Sequence, residues 1–420
     1  MSTAPTILLL GTVDTKGDEI AFLRQCIEQA GCRALVMDVS VLGRGGFAPD
    51  IANTEVAAAA GMTLQQAAAS GNENTSMRVM AQGASLLATQ LHAQGRIAGQ
   101  LALGGTMGTD LSLDVANALP LGFPKVLVST ISYSHLLPPE RIPPELMMVL
   151  WVGGLYGLNS LCRSALSQAA GAVTGACRSA LAPRFERPMV GMTSLGSSVL
   201  TYMKTLKPEL DKRGYELAVF HTTGMGGRAF EALASQGRFV VVMDFCLQEL
   251  VNHLGGSCVT AGPDRLLGAG RAGVPQIVAP GATDMLDYPA WAEPPARFEG
   301  RARHAHNRLI ASVSIDPAMR RVVARAIADR LGQATGPTVL LVPTQGVEGW
   351  DRSGQPLHDP EGLTALVDEM RVAVRPNTRL VELDVHINDP AFAQAALEVF
   401  DQWVAQGRIP RVVVTVDVAH

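Results

Sequence analysis

Thr6-Ile7-Leu8-Leu9-Leu10-Gly11-Thr12-Val13-Asp14-Thr15-Lys16-Gly17-Asp18-Glu19 decides how the chain is read. From Thr6 to Thr12 the residues are apolar without alternation, the pattern of a strand covered on both faces in a parallel sheet. A helix is expected from Glu19 to Ala30, because Ile20, Leu23 and Ile27 recur at helical spacing. Cys32–Val39 then reads as a second strand. A strand, a helix and another strand in this order call for a right-handed crossover and a doubly wound domain.

Outward from this unit the rhythm continues. A helix over Met77–Gln94, a strand over Ile97–Leu103, a helix over Thr109–Ala118 and a strand over Pro124–Ser129 are expected in turn. Leu158–Leu181 follows as a long helix rich in Ala and Gly, whose small residues suit close packing against another helix or a second copy of the chain. The charged loop Arg184–Arg187 lies between Pro183 and Pro188, and the alternation restarts beyond it. Strands are then expected at Met189–Thr193, Glu216–Phe220, Phe239–Met243, Gln276–Ala279, Thr338–Val342, Leu380–Asp384 and Arg411–Val416. The predicted fold is α/β, with two Rossmann-like, doubly wound domains of mostly parallel strands over residues 1–185 and 186–420.

Composition narrows the function. The chain has 420 residues, 47% hydrophobic and 17% charged, and its 34 basic and 38 acidic groups leave a net charge of −4. Without a basic stripe a nucleic-acid groove is not expected. No apolar run approaches the roughly 20 residues of a membrane helix. The start of the chain lacks a secretory signal pattern, and the six cysteines form no C-x-x-C pair. A cytoplasmic protein with reduced thiols is expected.

Ligands of open parallel sheets bind beyond the carboxyl ends of the strands. Two loops there carry phosphate-binding chemistry. The first offers Gly11, Thr12, Asp14, Thr15 and Lys16 before a helix, where the dipole favours an anion and Lys16 adds a full charge. It lacks the Walker A spacing. The second offers Gly104, Gly105, Thr106, Gly108 and Thr109, with glycines that admit a phosphate close to backbone amides. Ser129 and Thr130 end the next strand and add hydroxyls. Lys16 and Thr109 are expected to face one cleft.

These residues, together with Gly157–Gly175, Phe220–Glu231, Met243–Leu250, Ala261–Met285 and Asn388-Asp389-Pro390, resemble the tomato mosaic virus resistance protein-like ATP-binding family and its bacterial members. The resemblance runs in order along essentially the whole chain. It implies two Rossmann-like subdomains, Mg²⁺ and ATP as cofactors bound largely by the first, and a homodimer. Met107 replaces a glycine of that family's loop and narrows the room for a phosphate. Leu137–Pro144 is proline-rich where the family is not.

In the second domain, Thr223, Gly224, Gly226 and Gly227 form a further glycine-rich ligand loop before a helix. Ser197 or Ser198 is expected to cap another helix. Glu249 and His306 are the candidate acid and base, acting on a small-molecule ligand that spans the domains. His304 and His306 form a His-x-His pair, but no carboxylate stands at a confirming spacing and no metal site is assigned. Cys246 and Cys258 read as buried rather than nucleophilic. Trp350, in a long loop after Thr338–Val342, is placed to stack on a ligand or to anchor the loop.

An ATP-binding enzyme of small-molecule metabolism is the first expectation. A non-catalytic, ATP-dependent interaction or regulatory protein is the alternative. An NAD-dependent oxidoreductase comes third, because no G-x-G-x-x-G follows Leu10.

Overall fold

The computed structural model describes residues 4–412 apart from 44, 182, 197 and 198. The chain forms two compact units, Met1–Arg184 and Phe185–His420. In the first, strands β1 (Thr6–Gly11), β2 (Arg33–Asp38), β3 (Gly99–Gly104), β4 (Lys125–Ser129) and β5 (Met147–Leu150) make an all-parallel sheet in the order β2-β1-β3-β4-β5. Alternate residues of β1 serve the two faces. Ile7 and Leu9 pack with Ile20, Leu23, Leu166 and Val173, whereas Leu8 and Leu10 pack with Val56, Met80, Ala84 and Leu111. Each such side chain contributes about 1.5–3 kcal/mol when fully buried. This two-sided burial is why the run shows no alternation.

The second unit repeats the winding. Strands β6 (Met189–Ser194), β7 (Glu216–His221), β8 (Val241–Asp244) and β9 (Gln276–Val278) precede an insertion, and two later strands complete the sheet. The insertion is an antiparallel sheet of β10 (Met285–Pro289), β11 (Arg303–Ala305) and β12 (Ile310–Ser314), ordered β10-β12-β11. With β13 (Thr338–Pro343) and β14 (Thr378–Leu383) the parallel sheet reads β7-β6-β8-β9-β13-β14. Both sheets therefore reverse direction between their first and third strands, β1 and β3 in one and β6 and β8 in the other. That switch point is where such sheets open a crevice.

Several boundaries differ from the sequence reading. The first helix spans Val13–Gln29 and absorbs most of the expected phosphate loop. It can start so early because Asp38, at the end of β2, accepts the Val13 N–H at 3.0 Å. Its regularity breaks at Lys16, where φ is −130° and ψ is 24°. The helix expected from Met77 spans Glu73–Ala93, with the Asn72 side chain accepting from Thr75 N–H. The helix expected from Thr109 begins at Thr106. The long small-residue helix spans Ser160–Ser179. The antiparallel insertion escaped the reading because strands of three to five residues carry too little periodicity. The expected strand at Arg411–Val416 lies mostly outside the described residues, as do Ser197 and Ser198. Among the described residues, no helix is long and apolar enough to cross a membrane.

Candidate functional site

At the first domain's switch point, a cleft of about 370 Å³ opens beyond β1 and β2. Thr12, Asp14, Thr15, Ser40, Asn72 and Met107 are among its lining residues. A second hollow of about 320 Å³ includes Thr106, Leu137 and Arg141, and shares Glu73, Met77 and Met107 with the first. Between them the helix Thr106–Ala118 begins at Gly105, and no side chain caps it. Its first-turn N–H groups are left for a ligand or solvent. The Asp14 Oδ2 accepts from Gly43 N–H at 3.1 Å, while its buried Oδ1 has no partner.

The expected phosphate residues divide into two groups. Thr12, Asp14 and Thr15 line the larger cleft and Thr106 the smaller, while Thr130 lies beside Gly105. The others serve the scaffold. Lys16 donates from Nζ to the Leu155 carbonyl at 2.6 Å and sits 4.8 Å from the Tyr156 ring centroid. Thr109, expected on a cleft wall, is buried and shares a 2.7 Å hydrogen bond with the buried Ser129 hydroxyl. A Cβ on Gly11 would come within 2.9 Å of Ile20, and one on Gly104 within 2.6 Å of the Gly108 backbone. These three glycines allow strand and helix to approach closely.

In the second domain, Arg265 organises the interior. It is fully buried and pairs with Asp244 at 2.5 and 2.7 Å, Glu249 at 3.0 Å and Glu231 at 3.0 Å. Burial pushes Glu249 up to about 7 and raises Glu231 as well, with Arg265 opposing both shifts. The Glu249 Oε1 accepts from Gly224 N–H at 2.6 Å and Gly227 N–H at 3.1 Å. Both carboxylate oxygens of the expected acid are thus engaged inside the domain. The glycine-rich loop at Thr223, Gly224, Gly226 and Gly227 wraps this carboxylate, so two of its N–H groups serve Glu249 rather than a ligand. A Cβ on Gly227 would fall 1.7 Å from Glu249 Oε2. No hydrogen bond, ion pair or ring contact joins Glu249 to His306 among the described residues.

His306 belongs to a different group. Its ring centroid lies 5.7 Å from Trp350, and that of His304 lies 3.9 Å from the same indole. His221, the last residue of β7, accepts from Gly196 N–H at 3.4 Å. Burial and the nearby His306 lower the pKa of both His221 and His304. Among the described residues no three His, Cys, Asp or Glu side chains are grouped to hold a metal ion. Cys246 is buried as expected, accepts from the Thr222 hydroxyl and is pushed up to about 12, which leaves it a thiol. Cys258, also expected to be buried, is instead exposed just beyond the helix Gln248–Gly255.

The sequence reading missed Arg265, because a lone arginine carries no periodic signal. It also missed the closeness of Asp284 and Glu348, whose carboxyls are fully buried; burial and Asp351 raise the first, and burial and Asp284 raise the second. His221 was open to discovery, since it stands at a strand end directly before a glycine-rich loop.

Models of known families match both halves of the chain. The N-terminal domain of "Uncharacterised protein family (UPF0261)" covers residues 5–182, and its C-terminal domain covers residues 187–404. A UPF0261 protein of Brucella melitensis is 55% identical over 97% of each chain, and one of Clostridium tetani 33% identical over 93% of this chain and 96% of that one. The ToMV resistance protein Tm-1(GCR237) of Solanum lycopersicum is 26% identical over 95% of this chain and 56% of its own length. Among solved structures, a putative UDP-N-acetylglucosamine 2-epimerase of Listeria monocytogenes is similar at 10% identity. It covers 98% of this chain and 100% of that one, with a TM-score of 0.23. With both family models in sequence order and close relatives over nearly the full length, the chain belongs to the UPF0261 family.

Proposed function

We propose that the amino-terminal domain binds a phosphorylated nucleotide, with Mg·ATP the first candidate, and that the protein is an enzyme of small-molecule metabolism. The carrying observation is the cleft at the β1–β3 switch point, where the helix after β3 begins uncapped. Its volume falls within the roughly 300–1,000 Å³ of ligand pockets. The N–H groups of that first turn, with the hydroxyls of Thr12, Thr15 and Thr106, supply donors for phosphate oxygens. Asp14 fits a divalent cation, because its buried Oδ1 lacks a partner and such ions are held with nucleotides through one or two carboxylates. When bound, Mg²⁺ would supply neutralising charge for the phosphates. Lys16 supports the reading indirectly, by tying the helix to the Leu155 carbonyl.

Calorimetric titration of ATP, with and without Mg²⁺, tests this. Asp14→Asn is expected to weaken Mg·ATP binding about tenfold while leaving metal-free nucleotide affinity unchanged, a loss of about 1.4 kcal/mol. Absence of binding by wild type would sink the reading. Binding without turnover of any metabolite would favour a non-catalytic, nucleotide-dependent interaction protein, the reading closer to the resistance protein among the relatives.

A further inference from the structure

The second domain's switch point carries a group of side chains that the nucleotide reading does not use. Five segments bring them to the carboxyl edge of the sheet or the insertion beside it. His221 ends β7, Gln248 follows β8, Asp287 lies in β10, His304 lies in β11, His306 follows it, and Trp350 comes from the loop after β13. His304 and Trp350 are in ring contact, with His306 on the same indole. His306 lies close enough to His221 to oppose its protonation. None of these three imidazoles forms an ion pair among the described residues, where the only histidine paired with a carboxylate is His386, with Asp351. His221 and His306 are exposed and His304 is half-buried, so a solute can reach them.

A second observation comes from Gln248. Its side chain is completely buried, yet neither Nε2 nor Oε1 completes a hydrogen bond. A buried amide left in this state costs about 1–3 kcal/mol. It stands beside Asp287, whose carboxylate accepts from Ser312 at 2.6 Å and also faces His306. The free amide and the His306 imidazole therefore border the same carboxylate. A neutral imidazole donates one N–H, and a protonated one donates two. Two of them on one indole, a third close to His306 and a spare amide donor suit a ligand rich in acceptor oxygens. The described residues do not group for a metal ion.

We propose that His221, His304 and His306, with Gln248 and Trp350, form a receptor for a small oxyanion, the phosphate or carboxylate group of a metabolite. This site lies wholly within the second domain and is independent of nucleotide binding in the first.

Histidine Cε1–H resonances of the full-length protein test the proposal, assigned one at a time by His→Gln substitution and followed at fixed ionic strength. Inorganic phosphate and succinate are the probes. Either anion is expected to shift His221, His304 and His306 saturably while leaving the buried His386 unmoved. A response to phosphate alone assigns a phosphorylated ligand, and one to succinate alone a carboxylate. The double variant His304→Gln/His306→Gln is expected to weaken binding at His221 at least tenfold while Mg·ATP affinity stays unchanged. No saturable shift with either anion would overturn the site. So would equal shifts of all the histidines, His386 included, or undiminished binding in the double variant.

Discussion

Arg265 is the residue on which the second domain's interior depends most. One guanidinium faces three carboxylates and also donates to the Cys246 carbonyl at 2.8 Å. Removing it leaves Asp244, Glu231 and Glu249 buried without their common partner. Arg265→Ala is expected to lower stability by about 3–5 kcal/mol, read from the urea midpoint. Arg265→Lys should not restore it, because an ammonium cannot reproduce the two-pronged pairing with Asp244. A near-neutral Arg265→Ala would mean that the carboxylates find protons or water instead. The same network explains why Glu249 is an anchor for the turn after β7. Its oxygens are occupied by groups that a reacting substrate would have to displace.

Among the elements, contacts between helices are set by the smallest residues. A Cβ on Gly83 would lie 1.9 Å from the Val56 carbonyl oxygen, so the helix Glu73–Ala93 meets the helix Asn53–Ala59 through backbone. Gly83→Ala must push the two apart, and a thermal denaturation series should show a loss of about 1–3 kcal/mol. On the helix Ser160–Ser179 the reverse holds, since the space beside Gly171 and Gly175 is open. That open face is where we propose the homodimer forms. Sedimentation velocity is expected to give a dimer at micromolar concentration and a monomer for Gly171→Arg. A wild-type monomer throughout would end this idea.

At the scale of the whole molecule, buried acids should make stability depend on pH. Burial raises both Asp284 and Glu348, with Asp351 adding to the first and Asp284 to the second, and burial raises Glu249 to about 7. In the unfolded chain such groups ionise near 4. Above that point the folded protein holds more protons than the unfolded chain, so these groups make stability fall as pH rises towards neutrality. The slope is about 1.4 kcal/mol per pH unit for each excess proton. Glu348→Gln removes one of the paired acids and offers Asp284 an amide donor. Its melting temperature should therefore fall less between pH 5.5 and pH 8 than that of wild type. An equal or steeper fall would show that the pair carries no excess proton.

The unbroken apolar run Ile7–Leu10, the helical spacing of Ile20, Leu23 and Ile27, and the proline-flanked Arg184–Arg187 segment were enough to specify two-sided sheets and repeated strand–helix winding. Those features are local, because a strand buried on both faces and a helix with one buried stripe each leave a period in the chain. Which glycines and hydroxyls face a ligand left no such period. Gly104 and Gly227 look alike in the sequence, yet one fits against a neighbouring backbone and the other against a buried carboxylate. Thr12 and Thr109 both follow strands, but only the first lines a cleft. Thr109 turns instead to Ser129, 20 residues away. The sequence by itself determined most of the parallel strands and helices and their winding, though not the short antiparallel insertion. Only the tertiary structure decided that Arg265 would collect three acids, that Lys16 would turn to Leu155, and that His221 would meet His306. Such pairings depend on strand order and loop path, and segments far apart in the chain carry no local trace of them.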